Sequence, residues 1–87
     1  MKTWNRQQAI EDAKKDALKE IDMKIEVTKK FLATHPTNEF RIERLKKYET
    51  QRIDIENFQP VGLPKPGEKP WFVVSALIGE QLNNILK

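Results

Sequence analysis

The stretch NRQQAIEDAKKDALKEIDMKIEVTKKFLA, Asn5 to Ala33, decides the fold. Within it Ile10, Ala13, Ala17, Ile21, Ile25 and Leu32 recur at steps of three or four residues, with Thr28 filling the one gap. That spacing draws a single apolar stripe down a helix, and Leu18, Met23, Val27 and Phe31 widen it. Asn5 stands where an N-cap belongs, with Gln8 three places on as a capping-box partner. The opposite face carries Glu11 and Lys15, Glu20 and Lys24, and Glu26 and Lys30, each an acid four places before a base. Such pairs stabilise an isolated helix by only ~0.2 to 0.5 kcal/mol each and mark a solvated surface.

Downstream, Thr34-His35-Pro36-Thr37-Asn38 ends that helix, because the residue before a proline is driven out of the helical region and Thr37 or Asn38 can cap a new start. A second helix is expected from about Asn38 to Asn57, with Ile42, Leu45, Tyr48, Arg52, Ile55 and Phe58 on its stripe and Phe40 and Ile53 on its flanks. So short a corner makes the two helices neighbours, most simply an antiparallel hairpin. At Gln59 the composition breaks: residues 59–70 hold four of the five prolines and two of the three glycines. This is a connector, expected to run as extended polyproline II, with Val61 and Leu63 available to dock on the hairpin. From Trp71 to Lys87 apolar residues crowd again. Trp71, Val74, Ile78, Leu82 and Ile85 step by three and four, and Pro70 sits where a helix start tolerates proline. The β-branched and aromatic opening Trp71-Phe72-Val73-Val74 also suits a strand, but the stripe favours a helix.

The expected architecture is therefore all-α: one small domain over residues 1–87, comprising a long antiparallel helical hairpin (1–58), a Pro-rich connector (59–70) and a C-terminal helix (71–87) packed across it. A chain of 87 residues buries roughly 60 to 65% of its unfolded surface, so a partner subunit or target would add needed stability.

Several chemistries are poorly provided for. The chain has no cysteine, which removes disulfides, thiolate zinc sites and cysteine nucleophiles, and its one histidine, His35, lies in the corner. Glycines at 62, 67 and 79 make no phosphate-cradling loop. Carboxylates alternate with bases along the helices, so no acid–base pair stands out. These readings point away from an enzyme and call for no cofactor or metal. The N-terminus leads into a charged helical pattern rather than an apolar signal, and the longest uncharged stretch, Pro70 to Gly79, is about half of the ~20 residues a membrane helix needs. No membrane association and a cytoplasmic location are the expectations.

Lys and Arg number 16 against 13 Asp and Glu, a formal charge of +3. Residues 1–35, 36–58 and 59–87 differ by +2, 0 and +1, so no segment is a basic arm. The best basic cluster is Arg41, Arg44, Lys46, Lys47 and Arg52 with Tyr48 interleaved, interrupted by Glu39, Glu43 and Glu49. A weakly basic helical nucleic-acid binder, using Arg41, Arg44, Lys47 and Tyr48 against phosphate, is thus the alternative reading.

Leu45-Lys46-Lys47-Tyr48, Ile53-Asp54 and Phe58-Gln59-Pro60 follow a helix and a short corner. In this arrangement the stretch from Lys19 to Pro60 resembles the C-terminal part of phage tail-fibre assembly chaperones. The family's tryptophan–proline ending is absent, and Trp71 to Lys87 has no counterpart in the resemblance. What it implies is a small phage protein that works by binding another protein.

The functional expectation is a non-enzymatic protein-interaction module, an assembly factor or small inhibitor, engaging one protein target or a second copy of itself. Its expected contact surface is Trp71, Phe72, Val74, Ile78, Leu82 and Ile85, because one hairpin cannot cover all of so apolar a segment and aromatic side chains anchor interfaces. The competing reading of the same residues is that they are simply the core.

Overall fold

The computed structural model describes residues 4–87. Three helices form: α1, Arg6–Thr34; α2, Glu39–Glu56; and α3, Trp71–Leu86. Among the described residues there is no strand. Asn5 caps α1, its side-chain oxygen accepting from the Gln8 N–H at 3.1 Å. The Gln8 side chain donates forward to Asp12 Oδ1 at 2.9 Å rather than back to the cap, so the expected box closes on one side only. At the corner His35 N–H donates to the Phe31 carbonyl, Asn38 N–H to the His35 carbonyl, and Asn38 Oδ1 accepts from Arg41 N–H at 3.0 Å to start α2.

α1 and α2 run antiparallel, as their cross-links show. Lys14 Nζ donates to the Glu56 carbonyl at 2.9 Å, Arg52 Nε lies 2.6 Å from Asp22 Oδ1, and the Arg41 guanidinium lies over the Phe31 ring. Arg52 also pairs with Glu56. Of the expected intrahelical ion pairs, Glu20–Lys24 and Glu26–Lys30 form at 3.6 and 3.3 Å. Glu11–Lys15 does not form among the described residues; Glu11 instead accepts from Gln7 Nε2 at 3.1 Å.

α3 lies along the groove of the hairpin, parallel to α1. Trp71 and Ser75 stand beside Ala9, Asp12 and Ala13, while Leu82 and Leu86 stand beside Ala17 and Glu20. Its strand-like opening is helical because Pro70 supplies the N-cap geometry and its carbonyl receives the Val73 and Val74 N–H groups. The core is Ala17, Ile21, Ile55, Phe58, Val74, Ile78 and Leu82, with Ile10, Ala13, Leu18, Ile25, Tyr48, Leu63, Ile85 and Leu86 packed around it. Ile21, Ile55, Ile78 and Val74 are essentially sealed from water, and each contributes roughly 1.5 to 3 kcal/mol by burial. Gln51, not Arg52, occupies the buried turn of α2.

The connector corrects the expectation of a continuous extended spacer. It bends at Gly62 (φ 68°) and turns at Gly67 (φ 83°), a backbone region that side chains disfavour and glycine enters freely. At the turn Glu68 N–H donates to the Lys65 carbonyl while a Glu68 carboxylate oxygen accepts from Lys65 N–H. Gln81 of α3 clamps the connector: its Nε2 donates to the Val61 carbonyl at 2.7 Å and its Oε1 accepts from Val61 N–H at 3.0 Å. Arg6 holds the Pro64 carbonyl. Leu63 docks as expected, whereas the Val61 side chain stays exposed and only its backbone is held.

Because α3 ends beside Glu20 and Gln51, the molecule has two unlike halves. One end is three helices thick; the other, from about residue 24 to residue 48, is a two-helix arm ending at the corner. The whole measures 53 × 27 × 17 Å.

Candidate interaction surfaces

The expected contact set divides in the folded chain. Val74, Ile78 and Leu82 are core residues, each 3% exposed or less, and Ile85 packs half-buried against them. α1, α2 and Leu63 together cover this stripe, which is why it need not face a partner. Trp71 and Phe72 behave otherwise, at 58% and 59% exposed. Their rings meet edge to face with centroids 6.0 Å apart, and Trp4 lines the same shallow depressions as Trp71. Since Val74, two residues on, is locked in the core, the aromatic pair sits on a fixed helix start rather than on a loose end.

A second surface lies at the corner end. The His35 ring stacks on Phe31 with centroids 4.5 Å apart. The Arg41 guanidinium sits 4.7 Å from the Phe31 centroid and 5.9 Å from that of Phe40. Arg44 follows, 5.0 Å from Phe40. His35, Phe31, Arg41, Phe40 and Arg44 therefore form one run of planar groups across the tip. Cation–π contacts of this kind contribute about 0.5 to 1 kcal/mol each when exposed. Neither guanidinium pairs with a carboxylate among the described residues. Lys47 is exposed, whereas Tyr48 leans onto the core beneath Lys24, so the nucleic-acid set does not share one open surface. Lys46 is paired with Glu43 at 3.7 Å.

Sequence reasoning did not single out Phe31, Phe40, His35 or Trp4 as surface-forming residues. The signal for Phe40 was present in its flank position; the stack itself needs two helices brought side by side, which no spacing within one helix reveals.

Between the ends, a furrow runs along the α1–α3 boundary. Asp12, Asp16 and Glu20 line it from α1, with Trp71, Ser75, Gly79 and Asn83 from α3, and among the described residues no basic side chain lines it. Among the described residues no group of three or more His, Asp or Glu could hold a metal ion, and no helix is long and apolar enough to cross a membrane. No protein-family model, curated protein or solved structure matches the chain.

Proposed function

We propose that this chain is a non-enzymatic protein-interaction module, a small assembly factor or inhibitor whose work is to hold another protein. The observation that carries this reading is the pair Trp71 and Phe72, more than half exposed on a helix start whose next turn is anchored in the core. Large aromatic side chains held rigidly at a surface lose little conformational freedom on binding and serve as interface anchors. The resemblance of residues 19–60 to phage tail-fibre assembly chaperones implies the same class of activity. A cytoplasmic setting suits it.

The competing reading, nucleic-acid binding, draws on Arg41 and Arg44, whose guanidiniums form no ion pair among the described residues. Against it stand Glu39 and Glu43 on the same helix turns and the partial burial of Tyr48.

A pull-down from the native host with wild-type chain and with Trp71→Ser/Phe72→Ser tests the two together. One stoichiometric protein, lost in the variant while its helical content and melting hold, is the expected result. Capture of nucleic acid instead, falling steeply with salt and lost on Arg44→Glu/Lys47→Glu, would replace the proposal with its rival.

A further inference from the structure

Both sides of a charge-complementary contact lie on one chain, on one face, at opposite ends. On α1, Asp16, Glu20, Met23, Val27 and Phe31 step by four, three, four and four residues, so they share a helix face. Over the first half of this face α3 stands alongside, and the boundary is the acidic furrow of Asp12, Asp16 and Glu20. Beyond the end of α3 the same face is uncovered and apolar. Val27 is 60% exposed there, and Phe31 carries the Arg41 guanidinium on its ring. Glu20 is paired with Lys24, but Asp12 and Asp16 pair with no base among the described residues, and they face the same way as Arg41 and Arg44, which pair with no acid among them.

We infer that this face pairs with a second copy of the chain, antiparallel, each copy's furrow receiving the other's cation–aromatic tip. The inference rests on the reading of the chain as an interaction module and names the partner as the chain itself. A two-fold axis satisfies both ends at once, because an isologous interface repeats every contact. Met23, 60% exposed, lies seven residues after Asp16 and eight before Phe31. Crossing the two α1 helices at Met23 therefore sets Asp16 of each copy against the Phe31 and Arg41 region of the other. The molecule's two longer extents, 53 and 27 Å, leave room for the about 800 Å² that each partner gives to a standard stable interface. An acidic segment of another protein would fit the tip alone, whereas a second copy matches the acidic furrow and the basic tip together.

Sedimentation of three chains decides it. Wild type is expected to run as a dimer at low ionic strength. Between 0.01 and 1 M salt the Debye length falls from about 30 to about 3 Å, and the dissociation constant should rise by at least about tenfold. Arg41→Glu/Arg44→Glu alone and Asp12→Lys/Asp16→Lys alone are each expected to be monomeric, since like charges then meet twice. Mixed in equal amounts, they should form a heterodimer, because both contacts are again complementary. Circular dichroism of each variant establishes that it is folded. Should either fail to fold, the cysteine-free chain offers a second route: Met23→Cys is expected to give an interchain disulfide, and Ile53→Cys is not. A wild-type chain that remains monomeric at millimolar concentration and low salt, or folded variants whose mixture stays monomeric, would overturn the pairing. If that monomer still captures one protein through Trp71 and Phe72, the module reading survives while self-pairing does not.

Discussion

Gln51 of α2 donates its side-chain amide to the backbone carbonyl of Ile85, 3.0 Å away in the last turn of α3. That carbonyl is among the last four of its helix, which have no intrahelical partner, and Gln51 supplies one from a position only 6% exposed. The amide is a latch between the middle of the hairpin and the end of the third helix.

Gln51→Ala is accordingly expected to cost about 1 to 3 kcal/mol, the usual range for removing a buried hydrogen-bond partner. Urea denaturation measures the loss, and amide exchange should show the final turn of α3 losing protection before the rest. The Gln51 Oε1 atom has no partner among the described residues, so replacement by Met, which keeps the volume and removes the orphan acceptor, should cost less than Ala.

The division between core and surface along α3 is tested by a pair of substitutions. Ile78→Ala should destabilise by about 2 to 5 kcal/mol, combining lost transfer energy with a cavity. Phe72→Ser should stay within roughly 0.5 kcal/mol in the same chemical melt, since its ring is mostly in water. Equal losses at the two positions would place Phe72 in the core.

Glycine to alanine should change sign between connector and helix. At Gly67 the backbone lies at φ 83°, and Ala there should cost about 1 to 2 kcal/mol through left-handed strain. Gly79 lies inside α3, where an added Cβ would meet nothing within 4 Å. Gly79→Ala should therefore stabilise by roughly 0.8 to 1 kcal/mol from helix propensity. Thermal melting of the two variants reads the opposite shifts.

Arg52 bridges Asp22 and Glu56 with both partners half in solvent. A double-mutant cycle over Asp22→Ala and Arg52→Ala should return a coupling of only about 0.2 to 1 kcal/mol, shrinking in high salt. A larger value would make this bridge, rather than the apolar stripes, a chief tie across the hairpin.

Much of this fold was legible because it is written in local terms. Asn5 caps α1 as its position implies, Asn38 rather than Thr37 caps α2, and the composition break at Gln59 falls just past the end of α2 at Glu56. The stripe Val74, Ile78 and Leu82 was visible as a stripe, yet its spacing is identical whether a hairpin or a partner covers it. Only the depth of the groove between α1 and α2 decides that. Gln51 was missed for a related reason: as a polar residue it adds nothing to hydrophobic periodicity, and its value depends on a carbonyl 34 residues away. The connector misled because its prolines favour extension locally, whereas Gln81 and Arg6, from two other elements, fold it back.

α1 runs unbroken for 29 residues, about 43 Å at 1.5 Å per residue, from the three-helix end to the corner. No joint interrupts it, so it acts as a ruler. Whatever docks at the Phe31–Phe40 tip is held at a set distance and heading from whatever docks on Trp71 and Phe72. A single substitution that broke that rod, such as proline near Lys24, would leave both surfaces chemically whole while losing the spacing between them.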